Sequence, residues 1–245
     1  MTRSLDDVHR ALALRATGLT AVEIARRTSI PRSTVRDWLT DENRAVDRGE
    51  LCDPCSRPAI VPEAPYAYLL GLYLGDGCLS LHPRHVYHLR IVLDGRYAGI
   101  IAECVQAMGA VLPNRVGQLA RPGCIEVSSY SKHWVCLFPQ HGTGPKHLRP
   151  IVLNAWQQRI ALDTYPRLFL RGLIHSDGWR GTNRIRNRYS YSRYIFSNRS
   201  PDIRELFRVA CTRVGVDCRQ SNKWHMAVSR RLDVARMDQF IGDKR

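Results

Sequence analysis

Residues 69–77 read Leu-Leu-Gly-Leu-Tyr-Leu-Gly-Asp-Gly, and residues 170–178 read Leu-Arg-Gly-Leu-Ile-His-Ser-Asp-Gly. At an offset of 101 residues, Leu69, Gly71, Leu72, Asp76 and Gly77 recur as Leu170, Gly172, Leu173, Asp177 and Gly178, each stretch preceded by an aromatic residue, Tyr68 or Phe169. Such self-similarity marks a duplicated unit. Gly71 and Gly75 are four apart, as are Gly172 and Ser176, so each pair shares one helix face. Small residues at this spacing let two helices approach closely. If the two helices pair, Asp76 and Asp177 meet at their C-terminal ends, where like charges repel and the helix dipole favours cations. A divalent metal removes both problems, and two carboxylates completed by phosphate oxygens and water suit Mg2+. Gly77 and Gly178 are expected in the left-handed conformation that ends a helix. The plainer reading of Gly-Asp-Gly is a helix cap; two copies in matched surroundings favour the metal site.

Those surroundings repeat. The first motif is followed by strand-like residues 86–93, a helix over 97–108 ending at Gly109, a strand around 124–129 and a short helix from about 131. The second is followed by a strand over 189–197, a helix over 202–214 ending at Gly215, a strand over 223–229 and a helix over 232–241. Each half therefore reads helix, hairpin, helix, hairpin, helix. The expected fold is α+β, a pseudo-twofold domain over 64–245 built from two αββαββα repeats, about 64–150 and 165–242, and monomeric.

Both nine-residue stretches resemble the LAGLIDADG motif of homing endonucleases, and their spacing resembles the single-chain, two-motif members. The resemblance covers about residues 64–242. It implies a motif-helix interface through Gly71, Gly75, Gly172 and Ser176, two β-sheet saddles lying in the DNA major groove, and divalent-metal cleavage of both strands. The family's acid is the penultimate motif residue, here Asp76 and Asp177, with Gly75 and Ser176 beside them in the metal site. Departures are Leu74 and His175, where the family name has Asp, and Arg171, where it has a small residue. The family often adds a basic residue near the reacting water, a place fitted by Lys132 in the first half and Arg231 (or Arg230) in the second; Lys146 is read as a phosphate contact. Some proteins of this fold are catalytically silent transcription regulators, and others are RNA-splicing maturases.

Residues 180–199 carry Arg180, Arg184, Arg186, Arg188, Arg193 and Arg199 without an acid, interleaved with Tyr189, Tyr191, Tyr194 and Phe196. On a strand, alternation sends one set toward DNA and the other toward the core. Arg84 and Arg90, with His85 and His88, form a milder basic surface in the first half, and Gln118 and Asn222 are candidate base readers.

Residues 1–45 read as a separate all-α domain of three short helices. Ser4 with Asp7 and Thr20 with Glu23 have capping-box spacing, Gly18 and Pro31 punctuate, and Val35, Trp38 and Leu39 face inward. Residues 18–39 resemble the resolvase-type helix-turn-helix, which places Arg32, Ser33, Thr34 and Arg36 on the recognition helix, toward base edges. Residues 46–63 are a Pro-rich linker containing Cys52-Asp-Pro-Cys55. One such pair is half of a tetrahedral zinc site; the reading is free cysteines, with zinc as the alternative.

The chain of 245 residues carries 37 Lys+Arg against 22 Asp+Glu, a net +15. Residues 1–50 hold nine basic and eight acidic residues, 51–150 nine and six, and 151–245 nineteen and eight. This points to a polyanionic partner, double-stranded DNA, met chiefly by the second half. No apolar run approaches the ~18 residues that span a bilayer. The opening Met1-Thr-Arg-Ser-Leu-Asp-Asp is no secretory leader, and eight scattered cysteines fit a reducing compartment, so a cytoplasmic, nucleoid-associated protein is expected. An intein is not expected, because the sequence begins with Met1 and ends with Arg245. Neutralising Arg186 and Arg188 should weaken DNA binding more than neutralising Arg84 and Arg90; fluorescence anisotropy with labelled duplex checks this, and equal losses contradict it.

Overall fold

The computed structural model describes residues 5–40, 62–185 and 189–242. The chain divides into two compact units, Met1–Ile60 and Val61–Arg245. The first holds α1 (Leu5–Ala16), α2 (Ala21–Thr28) and α3 (Arg32–Thr40) around buried Ala11, Ile24, Ile30 and Val35. Thr20 and Glu23 cap α2 reciprocally, satisfying N–H groups that no helical carbonyl reaches. Ser29, left-handed at φ 56°, turns the chain into α3.

In the second unit α4 (Glu63–Asp76) leads directly into the hairpin β1 (Gly77–His82) and β2 (Val86–Asp94). Then come α5 (Ala98–Val111), β3 (Val116–Arg121), β4 (Cys124–Ser131) and the short α6 (Trp134–Leu137). After a connector, α8 (Pro166–Asp177) repeats the plan with β5 (Gly178–Ile185), β6 (Tyr189–Ser197), α9 (Pro201–Arg213), β7 (Arg219–Gln220), β8 (His225–Val228) and α10 (Arg231–Ile241). The sheets have equivalent antiparallel orders, β1-β2-β4-β3 and β5-β6-β8-β7. Gly77 pairs with Ile91 as Gly178 pairs with Phe196, so the two halves share a register.

Residues 66–74 of α4 are buried without a break. A helix apolar all round must be covered all round, here by α8 on one side and its own sheet on the other. The α4–α8 contact is made by backbone. A Cβ on Gly71 would lie 2.5 Å from Phe169 O and 2.9 Å from Gly172 Cα, and one on Gly172 would run into Tyr68 O. Helices that interpose side chains stay roughly 8–10 Å apart; these two come closer because neither has a side chain at the crossing.

Three local expectations change. Gly77 (φ −82°) and Gly178 (φ −102°) are extended, not left-handed. Glycine is needed there for space: a Cβ would lie 2.5 Å from the Cα of Tyr73 or Ile174, because each strand doubles back against its helix. Helix α5 passes through Gly109, a position where a Cβ would meet only Val116 Cγ2 at 3.8 Å, and continues because Val111 reaches the core. The connector also contains α7 (Ala155–Gln158), capped reciprocally by Asn154 and Gln157, and a π-helical turn, Arg159–Thr164. Fully buried Gln157 donates to Tyr66 Oη (2.7 Å), which donates to Leu137 O (2.6 Å), tying the connector to the base of α4.

Gly71→Ala and Gly172→Ala should each cost at least about 2 kcal/mol of folding free energy, since backbone cannot yield to a methyl group as a side chain can. Chemical denaturation measures this, and a loss below 0.5 kcal/mol, on the order of an ordinary surface change, would contradict it.

Candidate nucleic-acid interface and acidic centre

The close crossing brings the C-terminal ends of α4 and α8 together. A Cβ on Gly75 would touch Ser176 and lie 3.2 Å from Asp177 Oδ2, so the second acid rests against the residue preceding the first. Asp76 is exposed and Asp177 half-buried. Asn198, just beyond β6, donates from Nδ2 to Asp177 Oδ2 at 2.6 Å. Asp76 opens onto a cavity of about 360 Å³ lined also by Asp94, Tyr97, Cys124, His175 and Ser176.

The cation at this centre is Lys146, which comes from the connector. Its Nζ donates to the carbonyls of Tyr73 (2.5 Å), Leu74 (2.9 Å) and Gly75 (2.7 Å) at the end of α4, of which Tyr73 O also accepts from the Gly77 N–H. It also lies 5.1 Å from the Tyr73 ring centroid. Burial pushes its pKa down to about 8, against the upward pull of Asp177 and Asp76. The loop carrying it is fixed by Arg149, which donates to Gln140 O (3.2 Å) and Gly144 O (2.5 Å).

The Asp76 and Asp177 carboxylates at abutting helix ends are oxygen donors, a chemistry that fits a hard divalent cation completed by water and phosphate. The Gly75 carbonyl is already held by Lys146 and is a poorer ligand than the sequence suggests. Among the described residues no group of three or more His, Cys, Asp or Glu side chains gathers as a metal site. Cys52 and Cys55 lie outside the described residues.

Lys132 follows Ser131 at the end of β4. Ser131 lies four residues, about 13 Å, along the strand from Val127, the residue in register with Ile91 and thus with Gly77. Lys132 is half-buried there and lowers the pKa of His133, second to that residue's burial. Arg231 opens α10 at the corresponding place and is exposed. Lys146 is the basic residue that the sequence left as a phosphate contact: no spacing signals it, because it lies beyond α6, past the helices and strands that recur in the two halves.

The departures Arg171 and His175 have structural work. Arg171 pairs with Glu103 through two bonds (2.7 and 2.8 Å) and donates to the carbonyls of Phe240 and Ile241 at the end of α10. Buried His175 meets Ile241 O with Nε2 (3.1 Å) and Tyr68 Oη with Nδ1 (2.9 Å). A carbonyl only accepts, so Nε2 carries a proton.

The basic strands need correction. Arg180 is not uncompensated: Asp238 of α10 binds it at 2.7 Å through both oxygens and also accepts from Tyr194 Oη (2.6 Å), which holds the Asp238 pKa down. The acid is 58 residues away and invisible in the local run. Asn222 is spent on its own turn, accepting from the N–H groups of Trp224 and His225, both at 2.9 Å. Gln118 registers with Val127, so it lies on the sheet face opposite to the outer one. On the outer faces lie Arg90 and Arg193, each with a buried Nε that finds no acceptor among the described residues, and His88, stacked on Tyr130 at 4.0 Å. Arg84 is exposed at the β1–β2 turn with φ 64°. Arg184 pairs in β5 with Ser190. Arg186 and Arg188 lie outside the described residues. In the first unit Arg32, Ser33 and Arg36 are exposed on α3 and Thr34 is half-buried.

No family model matches the chain, and no curated protein matches it. Solved structures do. A variant of the homing endonuclease I-DmoI is similar over 74% of this chain and 97% of its own, with TM-score 0.48 and 14% identity. The N-terminal LAGLIDADG domain of DUF199/WhiA covers 75% and 83%, with TM-score 0.45 and 14% identity. Full-length DUF199/WhiA from Thermatoga maritima covers 79% and 60%, with TM-score 0.45 and 16% identity. At these scores and identities the likenesses decide nothing by themselves. No described helix is long and apolar enough to cross a membrane.

Lys146→Met should lower stability by about 2 kcal/mol, because it strips three carbonyls at the end of α4 of a charged donor and removes a positive charge from beside two carboxylates. Thermal and denaturant unfolding measure the loss; an unchanged midpoint would show that water serves the helix end equally well.

Proposed function

We propose that the Val61–Arg245 unit binds double-stranded DNA at a specific site and hydrolyses phosphodiester bonds with a divalent metal, most simply Mg2+, in the manner of a LAGLIDADG homing endonuclease. The observation that carries this reading is the pair Asp76 and Asp177 at abutting helix ends, in a chain of net charge +15. Such a pair is costly to the fold, and an oxygen-ligated cation between two phosphates offsets that cost.

Asp76 and Asp177 would hold the metal, with the Ser176 carbonyl beside them. Asn198 fixes the rotamer of Asp177 through its 2.6 Å bond. Lys146 lies within electrostatic reach of both acids and would offset negative charge developing on a phosphate seated there. The cavity beside Asp76 gives room for a phosphate and its water. Lys132 and Arg231 would meet the backbone farther from the centre. A bound divalent cation supplies an activated water and stabilises the leaving oxygen. Arg90, Arg193 and Arg184 would contact the duplex, as would Arg84 at the β1–β2 turn, and Arg186 and Arg188. In the first unit Arg32, Ser33, Thr34 and Arg36 would read a neighbouring segment.

The rival is a catalytically silent DNA-binding regulator. Lys146 favours it specifically, since an ammonium seated on three carbonyls already offsets part of the charge of the acidic pair without a metal.

Selection of bound duplexes, followed by incubation with Mg2+, separates the two. The unaltered chain should cut the selected site, and Asp76→Asn and Asp177→Asn should each lower the rate about a hundredfold or more while retaining binding. Binding without cleavage by all three proteins would establish the regulator.

A further inference from the structure

Helix α9 ends in a reversal that brings two cysteines together. Cys211, in its last turn, is fully buried. Its carbonyl accepts from the N–H groups of Val214 (3.2 Å) and Val216 (2.9 Å), and Thr212 O accepts from Gly215 N–H (3.0 Å). Gly215, left-handed at φ 69°, allows that reversal. Val216 is buried, and Cys218 follows two residues on, half-buried, at the entry to β7. The Cys211 and Cys218 side chains hydrogen-bond to each other, and both are free thiols. Seven residues apart in sequence, they meet because the chain turns back between them.

The two thiols differ as an attacking and a resolving sulfur must. Burial pushes the Cys211 pKa well up, and the hydrogen bond it gives to Cys218 adds to this. That same bond lowers the pKa of Cys218; Arg208 contributes, while burial, Asp217 and Glu205 oppose. Both acids are held by arginines, Glu205 by Arg208 (2.5 Å) and Asp217 by Arg219 (3.4 Å) and Arg230 (3.3 Å). The thiolate is the nucleophilic form, so Cys218, the thiol that solvent reaches, attacks, and Cys211 waits behind it.

We propose that Cys211 and Cys218 form a peroxide-sensitive dithiol, a reversible oxidation site at the end of α9. It is independent of the DNA-binding reading. The Cys218 thiolate attacks one oxygen of hydrogen peroxide and the O–O bond breaks. The departing hydroxide takes up the proton that Cys218 gave to solvent and becomes water, and Cys218 is left as a sulfenic acid, two electrons poorer. The Cys211 sulfur then attacks the Cys218 sulfur. The S–S bond forms, the S–O bond breaks, and hydroxide leaves with the Cys211 proton as a second water. Two thiols and one peroxide thus give one disulfide and two waters, and a dithiol reductant reverses the change. The bond would tie the last turn of α9 to the entry of β7, the edge strand of the second sheet.

The test treats the reduced full chain with hydrogen peroxide, blocks remaining thiols by alkylation and digests with trypsin. Cleavage after Arg208, Arg213 and Arg219 puts Cys211 in peptide 209–213 and Cys218 in peptide 214–219, so the disulfide joins two peptides. The joined pair should appear, two hydrogens lighter than its separate halves, and vanish on reduction. Cys218→Ser should leave Cys211 reduced. Cys211→Ala should stop Cys218 at the sulfenic acid, which dimedone captures. Circular dichroism checks the fold of each variant, and Cys218→Ser, at the half-buried position, still decides if Cys211→Ala does not fold. Equal alkylation of Cys218 with and without peroxide overturns the proposal, as does dimedone capture in the unaltered chain without a joined pair. A pair that forms only in denaturant, or oxidation of Cys211 at an unchanged rate in Cys218→Ser, also overturns it.

Discussion

The fold depends on a contact between two stretches of bare backbone. Where α4 crosses α8, Gly71 and Gly172 meet with no side chain between them. That contact fixes how near the helix ends come, and so how near Asp76 and Asp177 come. It also fixes the relation of the two sheets, because β1 and β5 leave the helices without an intervening loop. Gly77 and Gly178 extend the same constraint, since each strand folds back so tightly that only a hydrogen fits against the helix.

Closeness has an electrostatic cost. Two helix C-termini and two carboxylates converge, all negative in sign. The chain answers with Lys146, whose ammonium sits on three terminal carbonyls of α4 and within reach of both acids. Its arrival depends on the connector, fixed in turn by Arg149 and by the buried set of Tyr66, Gln140 and Gln157. The segment that merely joins two repeats therefore supplies the charge that lets them meet.

The duplication is symmetric in topology and asymmetric in chemistry. On the first side Asp76 faces a cavity shared with Asp94; on the second Asn198 binds Asp177. The first sheet's outer face internally pairs Arg121 with Glu126 (3.0 Å) and carries stacked His88 and Tyr130, whereas the second carries Trp179 and Arg193. Burial first, then the neighbouring Arg90 and His82, lowers the pKa of His88.

By itself the sequence determined the two motif helices, the order helix, hairpin, helix, hairpin, helix in each half, and the three helices of the first unit. These are local: apolar periodicity, capping residues and glycine spacing act within one or two turns, and a repeat doubles every signal. Tertiary structure decided what each charged side chain does. Arg180 looked uncompensated until α10 brought Asp238 to it, and Arg171 and His175 looked like departures until Glu103, Tyr68 and the end of α10 closed around them. Gly77 and Gly178 were legible as required glycines, but the reason was proximity and not handedness. Lys146 was the least legible, since a lysine 70 residues from the helix it caps leaves no periodic trace. Backbone preferences are set by neighbours in sequence, whereas a charge answers to whatever the fold brings within a few ångströms, and that is fixed only once the chain has packed.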